Sequence, residues 1–271
     1  MKISCCIFDL DGTLLTPQNK ISEVDKSTLR KLSDDGVKII IATGRSHLQI
    51  LEYAHSLGIS DPSITCNGGQ IINIMTNEVL HRDFLRREDA IKILNAAKVE
   101  GTDFLFYTPN CVYHAQSSER VKFFLTYNET APKEFRVPIR PAADYPIEED
   151  YSNIIKILIH DNTDHIQKLE ERFNSAGTLT IVSSGKNLID IMPENTTKGA
   201  AVNILCEKLG IPITEVVAFG DSMNDESMLK SAGYSVAMGN AVPEIKQICD
   251  FVTKSNGEYG ITYAIEHILS I

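Results

Sequence analysis

The sequence predicts an α/β protein: a parallel sheet covered by helices on both faces, interrupted by an α+β insertion with its own antiparallel sheet. Three observations predict it. The first third alternates short, β-branched apolar runs with helix-period segments closed by glycine. The last third resumes that alternation. The middle breaks it, with the order helix–strand–strand appearing twice around a proline-rich stretch.

Taken in order, Ile3–Phe8 reads as a buried strand. Ser22–Asp35 reads as a helix, since Val24, Leu29 and Leu32 recur at helical spacing and Gly36 stops it. Val37–Ala42 is a second buried strand, Ser46–Leu57 a helix ending at Gly58, and Ser63–Cys66 a short strand running into Asn67-Gly68-Gly69. In the middle, Glu88–Val99 reads as a helix, Phe104–Tyr107 and Val112–His114 as paired strands across Thr108-Pro109-Asn110, and Ser118–Tyr127 as a helix. Pro132, Pro138, Pro141 and Pro146 follow. Ile154–His160 is a strand, Asp164–Asn174 a helix, and Leu179–Ser183 pairs with Leu188–Ile191 across Gly185-Lys186. The last third gives a helix at Lys198–Leu209, a strand at Glu215–Phe219, a helix at Glu226–Ser231, a strand at Tyr234–Ala237, and helices at Pro243–Cys249 and Tyr259–Ile271. The expected division is a core of residues 1–81 and 190–271 around an insertion of residues 82–189.

Composition narrows the function classes. Hydrophobic content of 43% and charged content of 23% are those of a globular protein. A net charge of −10 argues against a nucleic-acid binder that relies on a broad basic surface. No apolar run approaches the roughly 20 residues of a membrane span. The N-terminus lacks the long apolar segment and cleavage pattern of a signal peptide, so a cytoplasmic location is expected. The six cysteines include no C-x-x-C pair, which argues against zinc, and Cys5 and Cys6 lie within an apolar strand; all six read as reduced and structural.

Four segments carry chemistry, each just after an expected strand or at a helix start, where the functional loops of an open parallel sheet gather. Asp9-Leu10-Asp11-Gly12-Thr13 ends the first strand in two carboxylates at period-2 spacing. Both would point the same way if the strand persisted, and like charges held close are costly without a cation or a shared proton. Read alone, the pair is equally a strand-end turn with solvated aspartates. Thr43-Gly44-Arg45-Ser46 follows the second strand with a hydroxyl, a close-approach glycine and the N–H groups of the next helix; a capped helix start accounts for it too. Thr196-Thr197-Lys198-Gly199 places a lysine at a helix start, where the helix dipole opposes it, so it asks for an anionic neighbour or else is simply solvated. Gly220-Asp221-Ser222-Met223-Asn224-Asp225 crowds two acids and an amide at a strand end. These hard oxygen ligands suit Mg²⁺, and a helix N-cap with acids in its first turn is the competing reading. Four such accidents on one sheet edge are hard to reconcile. Carboxylates for a metal and a nucleophile, with hydroxyl, amide and ammonium groups for an anion, point to phosphoryl chemistry.

These motifs and their order, D-x-D-G-T, T-G-R, a helix-start lysine and G-D-x-x-N-D, resemble those of the haloacid dehalogenase-like phosphohydrolases. Within that superfamily the chain looks like the Cof-type subfamily, with a cap of the IIB kind. The resemblance implies a Rossmann-like core with an inserted α+β cap. It implies Asp9 as the nucleophile that forms an aspartyl-phosphate, and Asp11 as general acid and then base, its backbone carbonyl also ligating Mg²⁺. Thr43 and Lys198 would hold phosphate, helped by the backbone of Leu10 and Gly44. Asp221 would ligate the metal together with Asp9 and Asp11, Asn224 would hydrogen-bond phosphate, and Asp225 would orient metal waters or Lys198. The interval from Asp9 to Thr43 is already filled by one helix and one strand, so the cap falls between Thr43 and Lys198. The cap would close over the core and exclude water, and it would select the substrate. Asn67 and Gly68 follow a core strand and are candidate substrate-loop residues. His114, Lys156 and Lys186 are candidates in the cap, with surface or structural roles as the alternative.

The leading expectation is a Mg²⁺-dependent phosphatase acting on small phosphorylated metabolites such as sugar phosphates or phosphorylated cofactors. No nucleic-acid or membrane partner is expected. Phosphoryl transfer to an acceptor other than water, as in a phosphomutase, stands as an alternative, and so does a non-catalytic phosphometabolite-binding regulator.

Overall fold

A computed structural model describes residues 2–146, 149–174, 177–185 and 187–269. The chain divides into two compact units. The first comprises the residues through Gly44, Glu52–His81 and those from Thr197 on; the second comprises Arg45–Leu51 and Arg82–Thr196.

The first unit begins with β1 (Cys5–Phe8), α1 (Glu23–Asp34), β2 (Lys38–Ile41), α2 (Leu51–Leu57), β3 (Ser63–Thr65), β4 (Gln70–Ile72) and β5 (Val79–Arg82). The second unit contains α3 (Arg87–Glu100), β6 (Asp103–Tyr107), β7 (Val112–His114), α4 (Val121–Thr130), β8 (Ile139–Pro141), β9 (Lys156–His160), α5 (Thr163–Asn174), β10 (Leu179–Gly185) and β11 (Leu188–Pro193). The chain then completes the first unit with α6 (Lys198–Leu209), β12 (Val216–Gly220), α7 (Glu226–Ser231), β13 (Tyr234–Ala237), α8 (Pro243–Ile248), β14 (Phe251–Val252) and α9 (Gly260–Leu269).

The main sheet of the first unit runs β14-β13-β12-β1-β2, every pair parallel. Period-2 side-chain alternation sorts its apolar residues onto two faces. Cys5, Ile7, Ile40, Val216, Ala218 and Ala237 pack against α6, α7 and α8. Phe8 and Phe219 belong to the other face and stack with ring centroids 4.7 Å apart. Near β2, α1 buries Leu29 and Leu32, and it is tied to α9 by Asp25, whose Oδ1 accepts from the backbone N–H and hydroxyl of Thr262. Burial pushes the Cys6 thiol up to about 12, in keeping with an inert core residue.

The chain feeds β1 through α1 to β2 on one side, and β12 through α7 to β13 on the other. The loops after β1 and β12 therefore diverge from a topological switch point, the place where an open sheet of this kind forms a crevice. A small antiparallel sheet, β3-β4-β5, lies beyond β2, bridged to it through Ala42 and Ile64.

The second unit has a six-stranded sheet ordered β10-β11-β9-β6-β7-β8, antiparallel except for the β7–β8 pair. One face carries Phe104, Phe106, Ile157, Ile159, Ile189 and Ile191 and packs with the apolar residues of α3 and α5. The opposite face carries a buried ion pair, Lys156–Asp190, at 2.9 Å, with the lysine ammonium 4.6 Å from the centre of the Tyr107 ring. The α/β class with an α+β insertion expected from the sequence is the observed fold.

Four details differ from expectation. The segment Ser46–Leu57 is not one helix: a 3₁₀ turn at His47–Gln49 ends at Ile50, whose φ of −117° and ψ of 2° leave helical space before α2 begins. The first strand, by contrast, stops at Phe8 as expected, and Asp9 and Asp11 do not share a strand face. The hairpin β4–β5 and the strands β8 and β14 were not anticipated. β8 is flanked by Pro138 and ends in Pro141, residues that argue against a central strand, and it lies at the sheet edge. β14 has only two residues, too few for any periodicity.

Candidate active site

Backbone register brings three of the four motifs to one edge. Phe8 is level with Ile41 on one side and Phe219 on the other. Asp9 donates its N–H to the Phe219 carbonyl at 3.0 Å, and Ala42 donates to the Phe8 carbonyl at 2.8 Å. Asp9 is thus level with Ala42 and Gly220, and Thr43 and Asp221 follow one residue later on the adjacent strands.

After Asp9 the chain folds into a single wide turn. Leu14 donates to the Asp9 carbonyl at 3.2 Å and Leu15 to that of Leu10 at 2.8 Å. Gly12 makes the turn feasible: its φ is +84°, and a Cβ there would stand 2.5 Å from Asp221 Oδ2. The turn separates the two carboxylates, with Asp9 buried and Asp11 exposed. Leu10 is fully buried. Asn240 closes the loop by donating to the Gly12 carbonyl at 2.8 Å.

Lys198 answers the question its position raises. It is the first residue of α6, whose N-terminus is capped by Thr197 accepting from the Ala200 N–H at 3.1 Å. Its ammonium is buried and donates to Asp9 Oδ1 and Asp225 Oδ1, each at 2.6 Å. Burial alone would depress the lysine, but the Asp225 and Asp9 carboxylates outweigh that and hold it above its usual range, so it is a permanent cation. Burial and the neighbouring Asp225 push Asp9 in the opposite sense to a normal paired carboxylate, well above the carboxylate range, with Lys198 only partly offsetting them. One ammonium does not balance this many acids.

Asp225 has no exposure and its acceptors are engaged: Oδ1 by Lys198, Oδ2 by the backbone N–H groups of Asp221 at 2.9 Å and Ser222 at 3.0 Å. Ser222 and Asp225 form a reciprocal capping box. Asp221 is held through Oδ1 by the Thr13 hydroxyl at 2.8 Å and through Oδ2 by the Ser222 hydroxyl at 3.0 Å. Burial, with Asp225 nearby, pushes Asp221 up to about 6. Thr13 and Ser222 were not singled out from the sequence, although Ser222 three residues before Asp225 is the S-x-x-D pattern of a capping box.

Carboxylate oxygens of Asp9, Asp221 and Asp225 all lie within 4.8 Å of one another. This donor set fits a hard divalent cation, because all its ligands are oxygens and the like charges crowd beyond what Lys198 neutralises. Asp225 accepts from Lys198 and two backbone N–H groups, Asp221 from the Thr13 and Ser222 hydroxyls, and Asp9 from Lys198, and Mg²⁺ characteristically takes only one or two carboxylates. The Asp11 side chain is outside this group.

The remaining motif residues are in the same unit. Thr43 is buried, donates its N–H to the Ile64 carbonyl at 2.9 Å and accepts at its own carbonyl from the Asn67 N–H at 3.0 Å. Gly44 lies against the Asn67 amide, and Asn224, half-buried, donates from Nδ2 to Asn67 Oδ1 at 3.2 Å. Gly68 packs on the backbone of Thr197. Of the candidates in the second unit, Lys156 is buried in its pair with Asp190, and His114 Nδ1 lies 2.8 Å from the Ala115 carbonyl oxygen. Lys186 lies outside the described residues.

Residues 6–265 match the family model of the haloacid dehalogenase-like hydrolases. The chain is similar to phosphatase YwpJ of Bacillus subtilis, 31% identical across 97% of this chain and 98% of that one. It is also similar to YwtE of the same organism, described as a 5-amino-6-(5-phospho-D-ribitylamino)uracil phosphatase, 29% identical across 99% of both. Among solved structures it resembles BT4131, described as a subclass IIB sugar phosphatase, with a TM-score of 0.85 at 25% identity and full coverage of both chains.

Proposed function

The chain belongs to the haloacid dehalogenase-like hydrolases and is a phosphatase, and on that premise we propose that it hydrolyses small phosphorylated metabolites with Mg²⁺ through an aspartyl-phosphate on Asp9. The observation that carries the reading is the buried set of Asp9, Asp221 and Asp225 around Lys198 at the switch point of a parallel sheet.

Asp9 and Asp221, with the Asp11 backbone carbonyl, would hold the metal. When bound, Mg²⁺ supplies positive charge that lets an anionic carboxylate approach an anionic phosphate. Lys198 fixes one oxygen of Asp9 and so orients the other for in-line attack on phosphorus. Thr43, Lys198 and Asn224, with the N–H groups of Leu10 and Gly44, cradle the transferred phosphoryl group. The exposed Asp11 protonates the leaving oxygen, and it then takes a proton from the water that cleaves the acyl-phosphate bond. Asp225 positions Lys198 and stiffens the Asp221 loop. The names of relatives such as YwtE and the sugar phosphatase BT4131 support a phosphorylated polyol or sugar as the substrate class.

The test is Asp9→Asn, which keeps the side-chain shape and removes the nucleophile. With an aryl phosphate and Mg²⁺, phosphate release is expected to fall at least about 10⁴-fold, the scale on which loss of a nucleophile acts. Metal-dependent turnover near the wild-type rate would overturn the assignment.

A further inference from the structure

The turn after β3 has a backbone that its composition does not require. Cys66, Asn67 and Gly68 have consecutive φ values of +52°, +54° and +103°. Two successive non-glycine residues in the left-handed region are uncommon, and such conformations persist only where the surroundings over-determine them. The surroundings here are the phosphate-side motifs. The Asn67 N–H donates to the Thr43 carbonyl at 3.0 Å. Its Oδ1 accepts from Asn224 Nδ2 at 3.2 Å and is 3.0 Å from where a Cβ on Gly44 would sit. Any side chain on Gly68 would collide with the Thr197 carbonyl, so the turn also presses on the cap of the helix that begins with Lys198. Asn67 itself is buried, 1% exposed, which removes it from the surface where a ligand-grasping loop would put it.

From this geometry we infer that Asn67 is a positioning residue for phosphate binding, acting through Asn224. The inference rests on the phosphate-binding roles proposed above for Thr43 and Asn224. An asparagine amide has a donating end and an accepting end of almost equal size, and only the donating end suits a phosphate oxygen. The Asn67 carbonyl oxygen is an acceptor and can engage only the NH₂ of Asn224. Holding one of its hydrogens, it sets which way the Asn224 amide faces and leaves the second N–H on the far side of that planar group to meet phosphate. With Asn67 removed, the Asn224 amide is free to turn over and present its oxygen to the anion. The backbone bond to Thr43 gives the same residue a grip on the facing loop, so two phosphate-binding elements share one reference point.

A plain structural turn makes a different demand. It needs only the left-handed backbone, which glycine adopts more readily than asparagine. Asn67→Gly therefore keeps the turn and deletes the amide. The readout is the inhibition constant of inorganic phosphate against aryl phosphate turnover, at saturating Mg²⁺, in a double-mutant cycle with Asn224→Ala. Asn67→Gly and Asn224→Ala are each expected to weaken phosphate about 10- to 100-fold, the range for one hydrogen bond to a charged group. The double variant is expected to be within about twofold of Asn224→Ala alone, because the first residue acts through the second.

Losses that multiply in the double variant, or an Asn67→Gly variant with wild-type phosphate affinity, overturn the inference and leave the phosphate role of Asn224 standing. An Asn224→Ala variant with wild-type phosphate affinity overturns both. Melting midpoints are read alongside. If Asn67→Gly does not fold, Asn67→Asp keeps the acceptor oxygen and tolerance of the left-handed region. It is then the variant compared, with phosphate affinity expected to stay closer to wild type than that of Asn224→Ala; a loss as large as that of Asn224→Ala overturns the inference.

Discussion

Lys198 shows how far a single residue depends on partners distant in the chain. Its fully buried ammonium is tolerable only because Asp9 and Asp225 each take a hydrogen bond of 2.6 Å from it. Removing one member of such a set leaves the others buried and uncompensated. Lys198→Met is therefore expected to cost about 3–5 kcal/mol of stability in a chelator-treated sample at neutral pH, measured by urea unfolding. A loss below about 1 kcal/mol would mean that the carboxylates relax by protonation or by taking up water. The presence of a lysine in need of an anion was legible from its place at a helix start. Which anions it meets was not, because Asp9 and Asp225 are 189 and 27 positions away. Likewise the pattern D-x-D-G was legible, but the opposite environments of its two aspartates follow from the turn that Gly12 permits against Asp221.

At the scale of elements, the helices of the second unit are joined by a network that titrates. His165 on α5 meets Asp161 through Nδ1 at 2.9 Å and Glu100, the last residue of α3, through Nε2 at 2.8 Å, while Arg172 also bonds Glu100 at 2.6 Å. The hydrogen bonds to Asp161 and then Glu100 raise His165 above its ordinary value of 6.5, against a smaller effect of burial. The sign follows from linkage. The folded state binds the proton more tightly than the unfolded state, so the added stability is complete below the unfolded pKa and is lost as pH rises through the folded one. The melting midpoint of the wild type should exceed that of His165→Gln at about pH 6, and the gap should close by about pH 9. A gap that is constant across that range would remove protonation as its source. The helices α3 and α5 were themselves legible from apolar spacing. The edge strands β8 and β14 were not, since a strand of two or three residues at a sheet edge is held by its neighbour's hydrogen bonds rather than by its own pattern.

For the whole molecule, the expected consequence of the acidic site is coupling between metal binding and folding. A cation that binds the native carboxylates and not the unfolded chain stabilises by about 2.7 kcal/mol at a hundredfold excess over its dissociation constant. Mg²⁺ should therefore raise the melting midpoint of the wild type, and Asp221→Asn, which removes one of the carboxylates proposed to hold it, should lose most of that rise. An equal rise in both proteins would place the effect elsewhere on this acidic chain. None of the described helices is long and apolar enough to cross a membrane.

By itself the sequence determined the layer architecture, the insertion of a second sheet and the four polar segments at strand ends. Those features are local: a period of apolar residues, a glycine stop, or a carboxylate where a strand should continue apolar. The same locality explains why Asn67 and Gly68 read as substrate-loop candidates, with no sign of the contact to Asn224. Tertiary structure alone decided that the Asn67 side-chain oxygen faces Asn224, that Asp225 accepts from backbone N–H groups and Lys198, and that carboxylate oxygens of Asp9, Asp221 and Asp225 come within reach of one cation. Each of those outcomes is a distance between residues remote in the chain. The parallel register of β1, β2 and β12 sets these distances, and no side-chain pattern within one segment encodes them.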